Sequence, residues 1–131
     1  MEEIEKKSSE ELARMIAEFI ADRMGDDVHL LDMRELTDIA DWFIIASSKS
    51  KRHLRALSQD LIHEIKQAEI HPAYVEGVAS ESWIIVDIFD VVIHLFLPER
   101  REYFSLEDYW ADAPREVINS ETVMSNNDDR D

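Results

Sequence analysis

Cysteine is absent from this chain of 131 residues, which excludes disulfides, thiolate zinc sites and cysteine nucleophiles. The reducing cytosol is the simpler home for such a protein. Glycine occurs only at Gly25 and Gly77, so neither a P-loop nor a dinucleotide-binding turn can be built. Positive charge is also scarce. Fourteen Lys and Arg stand against thirty Asp and Glu, for a formal charge of −16. That balance repels phosphates at long range and favours a basic protein partner over specific nucleic-acid binding. No apolar run reaches the ~20 residues of a membrane helix; residues 83–97 come nearest but carry Asp87, Asp90 and His94. The start MEEIEKKSSEE has neither the apolar segment of a signal peptide nor the arginines of a transit peptide. A soluble, cytoplasmic protein without a membrane partner is expected.

What is present is a folding pattern. Apolar content of 45% separates the chain from disordered acidic proteins, and its length suits one domain. Ser8-Ser9-Glu10-Glu11 offers N-cap chemistry, and Leu12, Met15, Ile16, Phe19 and Ile20 follow at helical spacing as far as Gly25. Residues 28–33 read as a strand and 42–48 as another, apolar enough to be buried on both faces. Ser50 caps a second helix with the stripe Leu54, Leu57, Leu61, Ile62 and Ile65, and Pro72 blocks its continuation. Residues 74–77 start a short strand, 83–97 supply two more, and one or two helical turns follow Pro98 with Tyr103, Leu106, Tyr109 and Trp110 as apolar contacts. From Val117 periodicity is lost, so the domain is expected to span 1–116 and the acidic segment 117–131 to be disordered. The order αββαβββα gives an α/β (α+β) class with a mixed sheet and helices packed on it, because a helix joins the second and third strands.

Residues 83–97 carry their polar side chains on one side. A turn at Phe89-Asp90 pairs Ile88 with Val91, Val86 with Ile93 and Ile84 with Leu95, an aliphatic face that belongs under helices. The other face carries Trp83, Ile85 and Asp87 against Val92, His94 and Phe96, which suits a half-exposed surface that meets a partner. Trp83 and Phe96 are the expected anchors, and Asp87 and Glu99 the expected partners of basic groups. Glu99, Arg101 and Tyr103 form an adjoining rim. For His94, a packed and hydrogen-bonded strand histidine competes evenly with a partner contact.

Catalytic readings fare worse. The five histidines show no metal-ligand pair on one helix turn, and no metal or cofactor is expected. Ser47, Ser48, His53 and Asp60 invite a triad but lack nucleophile-elbow glycines, and read better as a strand end and a helix cap. Asp87 and Asp90 are the remaining carboxylate pair for a two-metal site; one on a strand and one in a turn should diverge. Lys49, Lys51, Arg52, His53 and Arg55 form the one basic cluster, a solvated helix face or a dock for a phosphate or acidic loop.

Taken in order, Leu31-Asp32 through DWFIIASS, then RHLRAL, YVEG, SWIIVDIFDVVIHLFLPERREYFSLEDYW and the closing Ala113-Pro114 resemble the ribosomal silencing factor family, also called RsfS or Iojap. The resemblance implies a nucleotidyltransferase-like α/β fold that has lost its catalytic apparatus. It also implies binding to the large ribosomal subunit through ribosomal protein L-fourteen, on the surface that meets the small subunit. A factor seated there blocks subunit association and represses translation under nutrient limitation; a role in large-subunit assembly is also attributed to the family. Two departures stand out. Phe89 occupies the place where relatives usually carry Gly, and a phenylalanine resists φ > 0. That argues for a wider turn than the primed two-residue type and leaves an exchange of the two faces open. Ser47-Ser48 replaces a turn that often contains Gly, which weakens phosphate binding further.

The leading expectation is a non-enzymatic steric inhibitor of subunit association with partner contacts at Trp83, Asp87, His94, Phe96, Glu99, Arg101 and Tyr103. Its rivals are a nucleotidyltransferase-like enzyme using Asp87 and Asp90, and a module that forms a homodimer through the same face.

Overall fold

The computed structural model describes residues 8–70 and 74–119. Helix α1 (Ser9–Asp22) opens on a capping box: the Ser8 hydroxyl accepts from Glu11 N at 3.1 Å and Ser8 N donates to Glu11 Oε1 at 3.0 Å. It closes where Met24 takes a φ of 69° and Gly25 N donates to Ile20 O at 2.8 Å. A Cβ on Gly25 would lie 2.4 Å from Ile20 Cγ2, so this glycine permits a close approach while Met24 takes the left-handed seat.

Strands β1 (Asp26–Asp32) and β2 (Trp42–Ser47) then pair antiparallel. Helix α2 (Lys51–Gln67), capped by the Ser50 hydroxyl on His53 N at 3.1 Å, leads to β3 (Tyr74–Glu76), β4 (Trp83–Asp87) and β5 (Val91–Phe96). Two short helices, α3 (Pro98–Phe104) and α4 (Leu106–Tyr109), precede β6 (Arg115–Ile118). The six strands lie in the order β3-β4-β5-β2-β1-β6, with β2 and β5 as the parallel pair. The mixed sheet with helices packed on it is thus the one expected, and β6 adds a sixth strand at its edge. Strand β6 pairs with β1 and carries Val117 and Ile118 past the boundary expected at 116. Only Ile118 of its four residues is buried, so the segment offers no periodicity to read. The rest of the expected tail, 120–131, lies outside the described residues.

The β4–β5 hairpin has the register its alternation dictates, with Ile84 opposite Leu95 and Val86 opposite Ile93. The wider turn expected from Phe89 is not adopted. Ile88 N donates to Val91 O at 3.0 Å across a two-residue turn, and Phe89 accepts a φ of 76° to make it. The faces therefore stand as assigned.

One face, with Leu30, Ile44, Ile84, Val86, Ile93 and Leu95, packs under α1 and α2. The opposite face is also a core: Leu31, Met33, Phe43, Ile45, Val92 and Phe96 lie beneath Leu106, Trp110 and Ala113. This corrects the expectation of a half-exposed face. Ser105 takes a φ of 49° between α3 and α4, and Trp110 N donates to Leu106 O at 2.9 Å. The turn lays Leu106 and Trp110 on Phe43, with the Phe43 and Trp110 rings 6.1 Å apart edge to face.

Candidate docking face

The seven residues expected to meet a partner divide into two groups. Phe96 is fully buried, and His94 and Arg101 nearly so. None of the three presents its side chain at the surface: the second core closes over the strand face of His94 and Phe96, and Arg101, on α3, turns inward onto Glu107 and Ser47. Trp83 and Asp87 are half-buried, while Glu99 and Tyr103 are exposed.

Trp83 links the groups. Its ring stacks on Phe96 at 4.9 Å and packs against Phe104 at 4.7 Å. Its Nε1 donates to His94 Nδ1 at 3.2 Å, which leaves the His94 proton on Nε2. Burial lowers the His94 pKa to about 4, so the imidazole is neutral at physiological pH. The even contest over His94 resolves to a core histidine held by an indole. Outside this stack, Phe104 carries the Tyr103 ring edge to face at 5.0 Å and the Arg100 guanidinium at 5.6 Å. Arg100 Nε also donates to Ser82 Oγ at 3.2 Å. A groove of about 340 Å³ runs along this platform between Glu76, Trp83, Ile85 and Phe104. Arg100 and Phe104 were missed by the sequence reading; the strand alternation that found Trp83 stops at Leu97.

Arg101 is a clamp and not a rim contact. Its Nε donates to Glu107 Oε2 at 2.7 Å and its Nη1 to Ser47 Oγ at 2.9 Å, while Nη2 lies 2.5 Å from Glu107 Oε2 and 3.6 Å from Asp27. The clamp joins α3, α4 and the ends of β1 and β2, holding the cover on the second core.

The catalytic constellations do not assemble. Ser48 is fully buried; its hydroxyl hydrogen-bonds His53 Nδ1, and His53 Nε2 lies 3.0 Å from the Arg23 carbonyl oxygen. Asp60 faces Arg23 at 4.0 Å instead of His53. Asp87 Oδ1 accepts from Phe89 N at 2.8 Å, turning that carboxylate into a brace for the turn. Among the described residues, no group of three or more His, Asp or Glu could hold a metal ion. Within the basic cluster Lys49, Lys51 and Arg52 are exposed, and Arg55 pairs with Glu81.

The family model described as "Ribosomal silencing factor during starvation" matches residues 6–131. The chain belongs to the ribosomal silencing factor family. It is 31% identical over 118 residues to the ribosomal silencing factor RsfS of Halalkalibacterium halodurans, covering 90% of this chain and 99% of that protein. A mouse protein named "Mitochondrial assembly of ribosomal large subunit protein 1" is 30% identical over 99 residues, 73% of this chain and 43% of its own length. A crystal structure of a protein from Chromobacterium violaceum superposes with a TM-score of 0.76 at 31% identity, over 80% of this chain and 88% of the other. No helix among the described residues is long and apolar enough to cross a membrane.

Proposed function

We propose that this chain is a ribosomal silencing factor in action as well as by family. It binds the large ribosomal subunit through ribosomal protein L-fourteen and sterically blocks the small subunit, repressing translation under nutrient limitation. It works in the cytoplasm as a binding protein, without catalysis or cofactor. The observation that carries this reading is the aromatic platform beside the sheet: Trp83, Phe104 and an exposed Tyr103, with Glu76 in the groove wall and the exposed Glu99 one helical turn before Tyr103 on α3. Aromatic residues supply much of the energy in protein interfaces, and surrounding carboxylates favour a basic protein such as a ribosomal one. A homodimer through the same platform would compete with the ribosome for it.

Cosedimentation with purified subunits tests the reading. The chain should travel with large subunits and not small ones, and excess protein should lower the yield of joined ribosomes. Tyr103→Ala and Phe104→Ala should each weaken binding by about 1–3 kcal/mol with the fold intact. Joined ribosomes forming at an unchanged level under saturating protein would defeat the steric mechanism.

A further inference from the structure

Phe89 is displayed where a bulky side chain is least comfortable. Its φ is 76°, a left-handed conformation that L side chains other than Asn and Asp seldom adopt. Its ring gains little in return, being 70% exposed at the tip of the β4–β5 hairpin. Strain of this kind persists where the surroundings over-determine it, and it gathers at functional positions. The surroundings here are specific. Asp87 Oδ1 fixes Phe89 N at 2.8 Å, and the Asp90 carbonyl accepts from both Asp41 N at 2.9 Å and Trp42 N at 3.0 Å. Those bonds fasten the hairpin tip to the loop between β1 and β2, which exposes Leu36 and Ile39, the latter at 68%.

The same end of the molecule is acidic without compensation. Arg34 is taken up by Asp32 at 2.8 Å. Glu35, Asp38 and Asp90 are exposed, and none has an ion-pair partner among the described residues. Exposed apolar side chains interspersed with free carboxylates at one end of the sheet complement a basic protein surface with apolar sockets; nucleic-acid phosphates would be repelled. The tip lies beyond the starts of β2 and β5, at the opposite end of the parallel pair from Ser47 and the Arg101 clamp.

We infer that Phe89, with Leu36 and Ile39, forms a second docking point that inserts into a basic protein surface of the large ribosomal subunit. This rests on the subunit-binding reading above and extends it from the platform around Trp83 along β4 to the hairpin tip.

The test compares thermal melting of the full chain with its binding to purified large subunits. Phe89→Gly should raise the melting temperature by about 4 °C by releasing the left-handed strain. The same change should weaken subunit binding by about tenfold or more. Phe89→Leu, which keeps an apolar side chain at the tip, should retain most of the affinity. A Phe89→Gly chain that folds and binds as tightly as the parent overturns the tip while leaving the platform reading intact. A parent chain that fails to bind large subunits overturns both. Asp38→Asn with Asp90→Asn should weaken binding at low salt. Tighter binding by that double variant would mean that the tip faces phosphates, and the basic-protein partner would fall.

Discussion

Arg101 is held in the interior by two specific partners, the Glu107 carboxylate and the Ser47 hydroxyl. Removing one member of a buried ion pair strands the other, and the stranded group costs more than the pair was worth. Arg101→Met should therefore destabilise the fold by about 3 kcal/mol, since Glu107 is left in place with its carboxylate uncompensated. Adding Glu107→Leu should recover a large part of that loss in denaturant unfolding. An equal or greater loss in the double variant would show that shape, and not charge, holds α3 and α4 down. His94 makes a second residue-scale expectation. Its folded pKa of about 4 lies below the ordinary 6.5, so the unfolded chain binds the proton more readily. The stability it contributes is fully present above pH 6.5 and is lost as pH falls through 4. The loss amounts to about 3 kcal/mol from this group. His94→Phe should flatten that part of the stability–pH curve between 6.5 and 4; an unchanged slope would place the acid sensitivity elsewhere.

Among the elements, β6 is where the sequence says least and the structure adds most. Ile118 is buried against the first core, and β6 supplies the outer pairing of β1. Ending the chain at 116 should lower the melting temperature well below that of a chain ending at 119. The missing Ile118 alone is worth about 2–4 kcal/mol. Equal melting of the two truncations would return the boundary to 116. The difference in legibility has a physical origin. Both long helices and the β4–β5 hairpin repeat their pattern over several turns or pairs, so Ser8, Ser50 and the Ile84–Leu95 register can be read directly. Phe96 could be placed on the correct strand face but not at its true depth. Its cover comes from α4, a four-residue helix whose contacts at Leu106 and Trp110 leave no periodic signature. Arg101 misled for the same reason: a charged residue after a strand looks like rim until the chain folds back over it. Phe89 shows the converse, a local preference overruled by the register of the strands on either side.

For the molecule as a whole, charge governs how a partner is met. A net charge of −16 acts over distances at which the aromatic platform and hairpin tip are not felt, and it accelerates encounter with a basic surface. In the proposed complex, the short-range contacts of Tyr103, Phe104 and their neighbours would then hold the partner in place. Salt should separate these contributions, because the Debye length shrinks to about 8 Å at physiological ionic strength. Between low and physiological salt, the association rate with large subunits should fall by on the order of tenfold, with a much smaller change in dissociation rate. Stopped-flow or surface-immobilised kinetics at several salt concentrations would measure both. Contact with exposed ribosomal RNA predicts the reverse sign, since salt would screen the repulsion between carboxylates and phosphates and speed association. An association rate that climbs with salt would therefore remove a basic protein as the principal partner, even if the chain still sedimented with the large subunit.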